Sequence, residues 1–208
     1  MISLLLLFFA IAIITSFLCS LWEAVLLSIT PSYAQIQLQK GTPLGHRLQS
    51  FKDDIDRPLA AILTLNTIAH TVGAIGVGDQ AARIWVDANP LITGLAVPAT
   101  MTLAILVLSE LIPKTLGANH WQSLAPITAS CLEFIIRLLG PLVWLSQIIT
   151  RKLKNKDISS AFTRSDFVAM ADIGAQDGVF EEQESEIISN LLKFRSIQAK
   201  DVMTPRTV

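Results

Sequence analysis

Charged side chains are scarce in this sequence, and neither sign dominates. Asp, Glu, Lys and Arg make up 16% of the 208 residues, whereas soluble domains carry about 25%. The formal net charge is −1, so the chain lacks the basic surplus with which proteins hold nucleic acid. A hydrophobic fraction of 51% and a mean hydropathy of +0.53 indicate an all-α integral membrane protein whose main partner is the lipid bilayer.

Cysteine and histidine are also rare, which excludes several kinds of site. Cys19 and Cys131 lie in apolar stretches without CxxC spacing, so no disulfide framework is indicated. His46, His70 and His120 are too widely spaced to form a metal motif by themselves. The sequence also offers no nucleophile–base pair, no phosphate-binding glycine loop and no cofactor motif, so we expect no enzymatic activity and no catalytic residues.

Three long apolar runs lie within the first 111 residues, and about 20 apolar residues suffice to cross a bilayer as a helix. The first run, Ile2 to Ile29, exceeds that length. A signal peptide is the competing interpretation, but the run is too long and lacks a basic start. It contains Ser20, Glu23 and Ser28. A carboxylate in such a helix is expected to face protein or water.

The second run, about Pro58 to Ile84, follows a polar connector from Tyr33 to Arg57. Asn66 and His70 are four residues apart and are therefore neighbours on one helix face, with Thr67 beside them. Small residues in this run favour close helix packing. Packing does not explain an amide and an imidazole within a span.

The third run, about Leu91 to Leu111, ends in the stretch Ser109-Glu110-Leu111-Ile112-Pro113-Lys114. Glu110 must leave water, and Pro113 frees a backbone carbonyl that lipid cannot satisfy. This combination predicts a helix break at Pro113 that lines a polar cavity, and hence an ion or substrate site. The alternative is a proline kink, with Glu110 capping or pairing near the interface.

The apolar segment 121–150 has two interpretations. Glu133 and Arg137 lie in its middle at a spacing of four, where they can pair. We expect it to form two helices at the interface or around the spans, and a fourth crossing is the alternative. The residues expected to cut it into pieces are Pro126, Gly140 and Pro141.

The distribution of Lys and Arg predicts the orientation in the membrane. Basic residues cluster in the first connector and after residue 136, and they are sparse between the second and third runs. The positive-inside bias then places the N-terminus outside and the C-terminal part in the cytoplasm. We expect the membrane to be the plasma membrane or inner membrane of the cell.

The last quarter of the chain is soluble in character. A linker precedes two short helices, of which the second, Glu181 to Leu192, is acidic. Its acidic run is interpreted as a solvated face, with a regulatory cation patch as the alternative. We therefore expect a membrane domain over 1–153, a small cytosolic acidic helical bundle over 154–200, and the start of another domain over 201–208.

Four stretches, in the same order along the chain, resemble those of one family. They are Ser20-Leu21-Trp22-Glu23-Ala24; Arg57-Pro58 with Leu65-Asn66-Thr67; Ser109-Glu110-Leu111-Ile112-Pro113-Lys114; and Asp201-Val202-Met203-Thr204-Pro205-Arg206. The chain resembles the CNNM/CorC family of magnesium transporters, in which the transmembrane domain precedes an acidic helical bundle and paired CBS domains.

The resemblance implies a homodimer with three transmembrane helices per subunit, a broken third helix and a belt of juxtamembrane helices. It also implies that the sequence stops at the start of a truncated CBS pair, the region to which any nucleotide binding would belong. The implied activity is transport of Mg²⁺, or of Mn²⁺ or another divalent cation, coupled to Na⁺, with a largely dehydrated cation bound at mid-membrane. The implied metal ligands are Ser20, Asn66, His70, Ser109 through its carbonyl, and Glu110, with Glu23, Ser28 and Thr67 as accessory residues.

Two residues depart from the family pattern. Ser109 replaces a glycine, which is tolerable if only its carbonyl is used. His70 stands where many members have a second asparagine, and imidazole suits Mn²⁺, Co²⁺ or Zn²⁺ better than Mg²⁺. His70 therefore either shifts the preference toward transition metals, or adds a protonatable group, or hydrogen-bonds a neighbouring helix. A channel and a non-transporting membrane anchor for CBS domains are the remaining alternatives.

Overall fold

The structure is a computed structural model that describes residues 2–84, 92–153 and 164–194. All regular elements within these residues are helical, which confirms the all-α prediction. The chain separates into two compact units, residues 1–154 and 155–208. In chain order the helices are α1 (Ile2–Ser28), α2 (Pro31–Gln39), α3 (Pro43–Asp53), α4 (Asp56–Ile84), α5 (Val97–Ala104), α6 (Ile112–Asn119), α7 (Trp121–Leu138), α8 (Gly140–Leu153), α9 (Arg164–Gln176) and α10 (Glu182–Phe194).

Three helices in the described residues are long and apolar enough to cross a membrane, as predicted. They are α1, α4 and a third that runs from Gly94 to Asn119 and includes α5 and α6. The predicted bounds of the first two agree with the structure to within about two residues. The prediction of three helices that can span a membrane is therefore confirmed.

The third span differs from the prediction at its end. It continues past Leu111 to Asn119. A short π-helical turn, Ile92–Ala96, lies at its start, and a longer π-helical segment, Ile105–Leu111, ends before Pro113. In a π-helix each backbone amide donates to the carbonyl five residues earlier, rather than four. At the end of this segment, the Ile112 amide accordingly donates to the Val107 carbonyl. Pro113 then occupies the first turn of α6, where a missing N–H is tolerated, and the helix can continue.

Helix α1 is the centre of the membrane unit, because it packs against α4, the π-helical segment, α6 and α7. It runs antiparallel to α4: Ser16 meets His70, and Ala12 meets Gly73. A Cβ atom on Gly73 would lie 2.3 Å from the Ala12 Cβ, so only glycine fits this approach. The small-residue packing predicted for the second span is confirmed at this position.

The polar connector between the first two spans is itself helical. Thr30 and Thr42 cap α2 and α3 by accepting hydrogen bonds from backbone amides of the first turn, and a proline follows each cap. Gly41 turns the chain between the two helices with a φ of 67°. Helices α2 and α3, together with α7 and α8, are the short helices beside the spans that the family resemblance implied.

Helices α7 and α8 meet at an angle of 85°, and they would add a fourth span only if the bent pair counted as one. The predicted cut at Gly140 is confirmed, but the cut at Pro126 is wrong. Pro126 lies inside α7, where its neighbours Ala125 and Ala129 are buried in the core and hold the helix together. The predicted ion pair between Glu133 and Arg137 within α7 is also confirmed. Arg47 of α3 joins it, because its Nε atom lies 2.9 Å from Oε2 of Glu133.

In the second unit, α9 packs against α10. The Ser185 hydroxyl of α10 lies 3.2 Å from the Asp172 carboxylate of α9. At the start of α10 the Glu181 amide donates to the Glu184 side chain, which is the reciprocal half of a helix cap. Part of the acidic run thus serves to start the helix.

Candidate cation site

A hydrogen bond joins the first two spans near their middle. The Ser16 hydroxyl, which is fully buried, lies 2.7 Å from Nε2 of His70. His70 therefore makes the contact with a neighbouring helix that was one of its open interpretations. Ser16 was not predicted, although it lies one turn before Ser20 on the same face of α1.

One helical turn away, the same antiparallel register brings Ser20 level with Asn66. Two buried side-chain oxygen or nitrogen atoms in the described residues lack a hydrogen-bond partner, and both are oxygens: Oγ of Ser20 and Oδ1 of Asn66. An unpaired buried polar atom costs roughly 1–3 kcal/mol. Two such oxygens on facing helices are therefore expected where an ordered water or a bound ion supplies the missing contact.

Asn66 also lines a cavity of about 310 Å³. Glu23 of α1 and Asp56 at the start of α4 face the same cavity, and α8 closes it with Ser146 and Thr150. Glu23 was predicted as an accessory residue, whereas Asp56, Ser146 and Thr150 were not predicted. The polar part of the lining thus consists of two carboxylates, an amide and two hydroxyl-bearing side chains, and the rest is apolar: Leu59, Ala60, Ile62 and Leu63.

The third span supplies its predicted residues from another side of α1. Ser109 is fully buried, and its hydroxyl donates to the Ile105 carbonyl at 2.8 Å, so the hydroxyl is already used. Pro113 has no N–H, so it does not make the α-helical bond to the Ser109 carbonyl four residues earlier. Glu110 is half-buried, and its carboxylate makes no hydrogen bond or ion pair with any residue that the structure describes. Neither Ser109 nor Glu110 lines the cavity.

Three other predicted residues lie apart from the cavity. The Thr67 hydroxyl is exposed and donates to the Leu63 carbonyl of its own helix at 2.8 Å. Ser28 is half-buried near the end of α1, and His70 is held by Ser16. The structure therefore brings Asn66 and Glu23 together, places Ser20 beside them, and leaves Thr67, Ser28 and His70 outside the cavity lining.

The ligand atoms around the cavity are all oxygen donors, which suit hard cations. Across residues 2–84, 92–153 and 164–194, no group of three or more His, Cys, Asp or Glu side chains is arranged to hold a metal. Oxygen donors of this kind do not favour a soft metal.

Several known proteins are similar to this chain. A protein of Synechocystis sp. named UPF0053 protein sll1254 is 30% identical over 199 residues, covering 95% of this chain and 56% of the relative. The Escherichia coli UPF0053 inner membrane protein YfjD is 24% identical, covering 81% of this chain and 40% of the relative. A Haemophilus influenzae relative that is 24% identical is named polyamine export protein, and the match covers 88% of this chain and 48% of that protein.

This chain spans about half the length of these relatives. Residues 6–184 match the family described as the Cyclin M transmembrane N-terminal domain. That match includes α1 from residue 6 onward, all helices from α2 to α9, the π-helical segment and the cavity between α1, α4 and α8. The chain is therefore a membrane protein that belongs to the CNNM transmembrane family.

Proposed function

We propose that this chain is the membrane domain of a transporter that moves a divalent metal cation, Mg²⁺ in the first place, between α1 and α4. The observation that carries the proposal is the pair of buried, unpartnered oxygens of Ser20 and Asn66 beside a cavity that also contains Glu23 and Asp56. A bound cation would supply the contact that the two oxygens lack, and it would add positive charge beside the two carboxylates.

The sequence of contacts follows from the chemistry of the ion. Mg²⁺ sheds its water reluctantly and is usually held by one or two carboxylates together with retained waters. Glu23 and Asp56 attract the hydrated ion into the cavity, and Asn66 and Ser20 then replace some of its waters. No nucleophile or acid–base pair is needed for this, so we propose transport without catalysis.

The third span is the element that we propose to move. Its π-helical segment carries Ser109 and Glu110 and packs against α1. π-helical turns are frequent at functional sites, and we propose that this one shifts its register during transport. Such a shift would bring the Glu110 carboxylate and the Ser109 carbonyl to the ion that Ser20 and Asn66 hold.

Membership of the family and the distribution of charge support the remaining parts of the proposal. We propose a homodimer in the plasma or inner membrane, with the N-terminus outside and α9 and α10 in the cytoplasm. We further propose that a Na⁺ gradient drives transport, and that CBS domains in the longer protein regulate it.

The position of His70 weighs against a preference for transition metals. Nε2, the ring nitrogen nearest to α1, is already bonded to Ser16, and His70 does not line the cavity. The polar groups that do line it offer carboxylate, amide and hydroxyl oxygens, which suit Mg²⁺, Ca²⁺ or Mn²⁺, and no imidazole or thiolate of the kind that suits Zn²⁺ or Cu²⁺. We therefore propose Mg²⁺ over the transition-metal exporter that the sequence left open.

A polyamine is the second candidate substrate. The H. influenzae relative is named a polyamine export protein. The cavity of about 310 Å³ contains two carboxylates, and one of them, Glu23, already accepts an ammonium group, that of Lys114, at 3.5 Å. A flexible organic polycation would satisfy the same charges as a metal ion.

The test is transport by the full-length protein in liposomes, with Mg²⁺, Mn²⁺, Co²⁺, Ca²⁺ and spermidine offered in turn. Mg²⁺ uptake that Asn66→Ala abolishes and Thr67→Ala preserves would support the proposal, because Thr67 is the exposed neighbour on the same helix. Spermidine transport alone would favour the second candidate. Movement of none of these ions would favour a membrane anchor, and conduction without a Na⁺ gradient would favour a channel.

A further inference from the structure

Glu23 stands between two environments. On one side it lines the cavity together with Asp56 and Asn66. On the other side its Oε2 atom lies 3.5 Å from Nζ of Lys114, at the start of α6. The carboxylate that would attract an entering cation is therefore already paired with a positive charge of the same chain.

The backbone of α6 holds Lys114 in this place. Pro113, next to it, is fully buried. One turn later, a Cβ atom on Gly117 would lie 2.8 Å from the Leu21 carbonyl oxygen and 2.9 Å from the Ala24 Cβ. Helices α6 and α1 thus meet with almost no space between their backbones, and Lys114 emerges opposite Glu23 as a result.

The ion pair itself is loose. Its distance of 3.5 Å exceeds the roughly 2.7–2.9 Å of a charge-assisted hydrogen bond. The Lys114 side chain is 48% exposed and that of Glu23 is 34% exposed, and pairs of this kind contribute little net stability. A divalent cation carries twice the charge of the ammonium group and is not tethered, so it can displace Lys114 from the carboxylate.

Glu110, a carboxylate of the same span, is not the group with which Lys114 pairs. Glu110 precedes it by four residues, a spacing at which Glu and Lys meet on a regular helix. The Glu110 carboxylate has no partner among the residues that the structure describes. The π-helical segment that carries Glu110 separates the two groups by an irregular turn.

We propose that Lys114 is a tethered counter-ion of Glu23, which neutralises that carboxylate between transport events and yields to the entering cation. This inference rests on the proposed cation transport. Its physical effect is on affinity: each cation must compete with an ammonium group that cannot diffuse away. The same competition speeds release, because Lys114 returns to Glu23 as the ion departs.

The experiment is Mg²⁺ titration calorimetry on the full-length protein in lipid nanodiscs. Lys114→Gln should bind Mg²⁺ about fivefold more tightly than the wild type, a change the size of one exposed ion pair. Lys114→Arg, which keeps the charge, should bind within about twofold of the wild type. In a Glu23→Gln background the Lys114→Gln substitution should have no further effect, because the carboxylate over which the two cations compete is gone.

A second measurement uses the wild type alone and does not depend on how the variants fold. An amine-reactive reagent should acylate Lys114 faster when Mg²⁺ is present, as read by mass spectrometry, with the exposed Lys40 as the internal reference. Labelling that Mg²⁺ leaves unchanged, or a Lys114→Gln variant that binds Mg²⁺ no more tightly, would overturn the inference while leaving transport intact. If the wild type itself neither binds nor moves a divalent cation, the proposed function fails instead.

Discussion

Ser20 on α1 lies level with Asn66 on α4, one helical turn from the hydrogen bond between Ser16 and His70. Both pairs lie along the interface between α1 and α4, which we call the seam, but they differ in their hydrogen bonding. Ser16 and His70 satisfy each other, whereas Oγ of Ser20 and Oδ1 of Asn66 have no partner among the described residues. The first pair joins two helices, and the second is the pair that we propose receives a ligand.

This difference predicts opposite effects of the same substitution at two neighbouring serines. Ser20→Ala removes an unsatisfied buried hydroxyl and should raise the free energy of unfolding by about 1 kcal/mol in Mg²⁺-free buffer. Ser16→Ala leaves His70 without its partner and should lower it by about 1–3 kcal/mol. Thermal unfolding of the full-length protein in detergent measures both.

Added Mg²⁺ completes that comparison. A ligand that binds the folded state raises its stability, so Mg²⁺ should stabilise the wild type and Ser16→Ala but not Ser20→Ala. If Ser20→Ala lowers stability without Mg²⁺ and keeps the full Mg²⁺ effect, then Ser20 serves packing and the site lies elsewhere.

His70→Asn tests whether the imidazole of His70 influences the choice of ion. Because Ser16 holds Nε2 and His70 does not line the cavity, the order of preference among Mg²⁺, Mn²⁺, Co²⁺ and Ca²⁺ should not change. The loss of the hydrogen bond should cost about 1 kcal/mol of stability. A competition assay in liposomes measures the preference, and a shift away from Mn²⁺ and Co²⁺ in the variant would restore His70 as a ligand.

Two glycines of α4 provide a matched pair for the packing of the seam. Gly73→Ala places a methyl group 2.3 Å from the Ala12 Cβ and should destabilise the fold by about 1–3 kcal/mol. Gly78→Ala meets no atom within 4 Å and should stabilise the helix by up to about 1 kcal/mol. Equal effects of the two substitutions on thermal unfolding would contradict the close approach of α1 and α4.

The sequence predicts the membrane spans well because their length is set by the bilayer. It also singles out Ser20, Glu23 and Asn66, because polar groups within a span are costly unless they serve a site. Both arguments depend on local sequence alone, and the structure places these three residues on the seam between α1 and α4 or beside it.

What the sequence misses depends on contacts between distant segments. Asp56, Ser146 and Thr150 line the cavity only because α8 folds back against α4. The π-helical segment escapes prediction because the same residues can satisfy their backbone bonds four or five positions apart. Pro126 looked like a helix breaker, but the burial of its neighbours in the core outweighs the one hydrogen bond that it removes.

Lys52 of α3 gives a pH-dependent prediction outside the membrane spans. Its ammonium group donates to the Leu26 carbonyl at 3.2 Å, near the C-terminus of α1, where a positive charge is favourable. Burial nevertheless lowers the pKa of Lys52 below its usual 10.5. In the pH window between the lowered pKa and 10.5, the unfolded chain therefore binds more protons than the folded one.

Stability rises with pH wherever the unfolded state binds more protons. The contribution of Lys52 should therefore increase the free energy of unfolding as the pH rises toward 10.5, and it should level off above that value. Lys52→Arg keeps a donor near Leu26 but does not titrate in this range, so it should remove that contribution from the pH profile. Thermal unfolding of both proteins at several pH values below 10.5 provides the comparison, and identical profiles would mean that Lys52 is fully hydrated in the folded state.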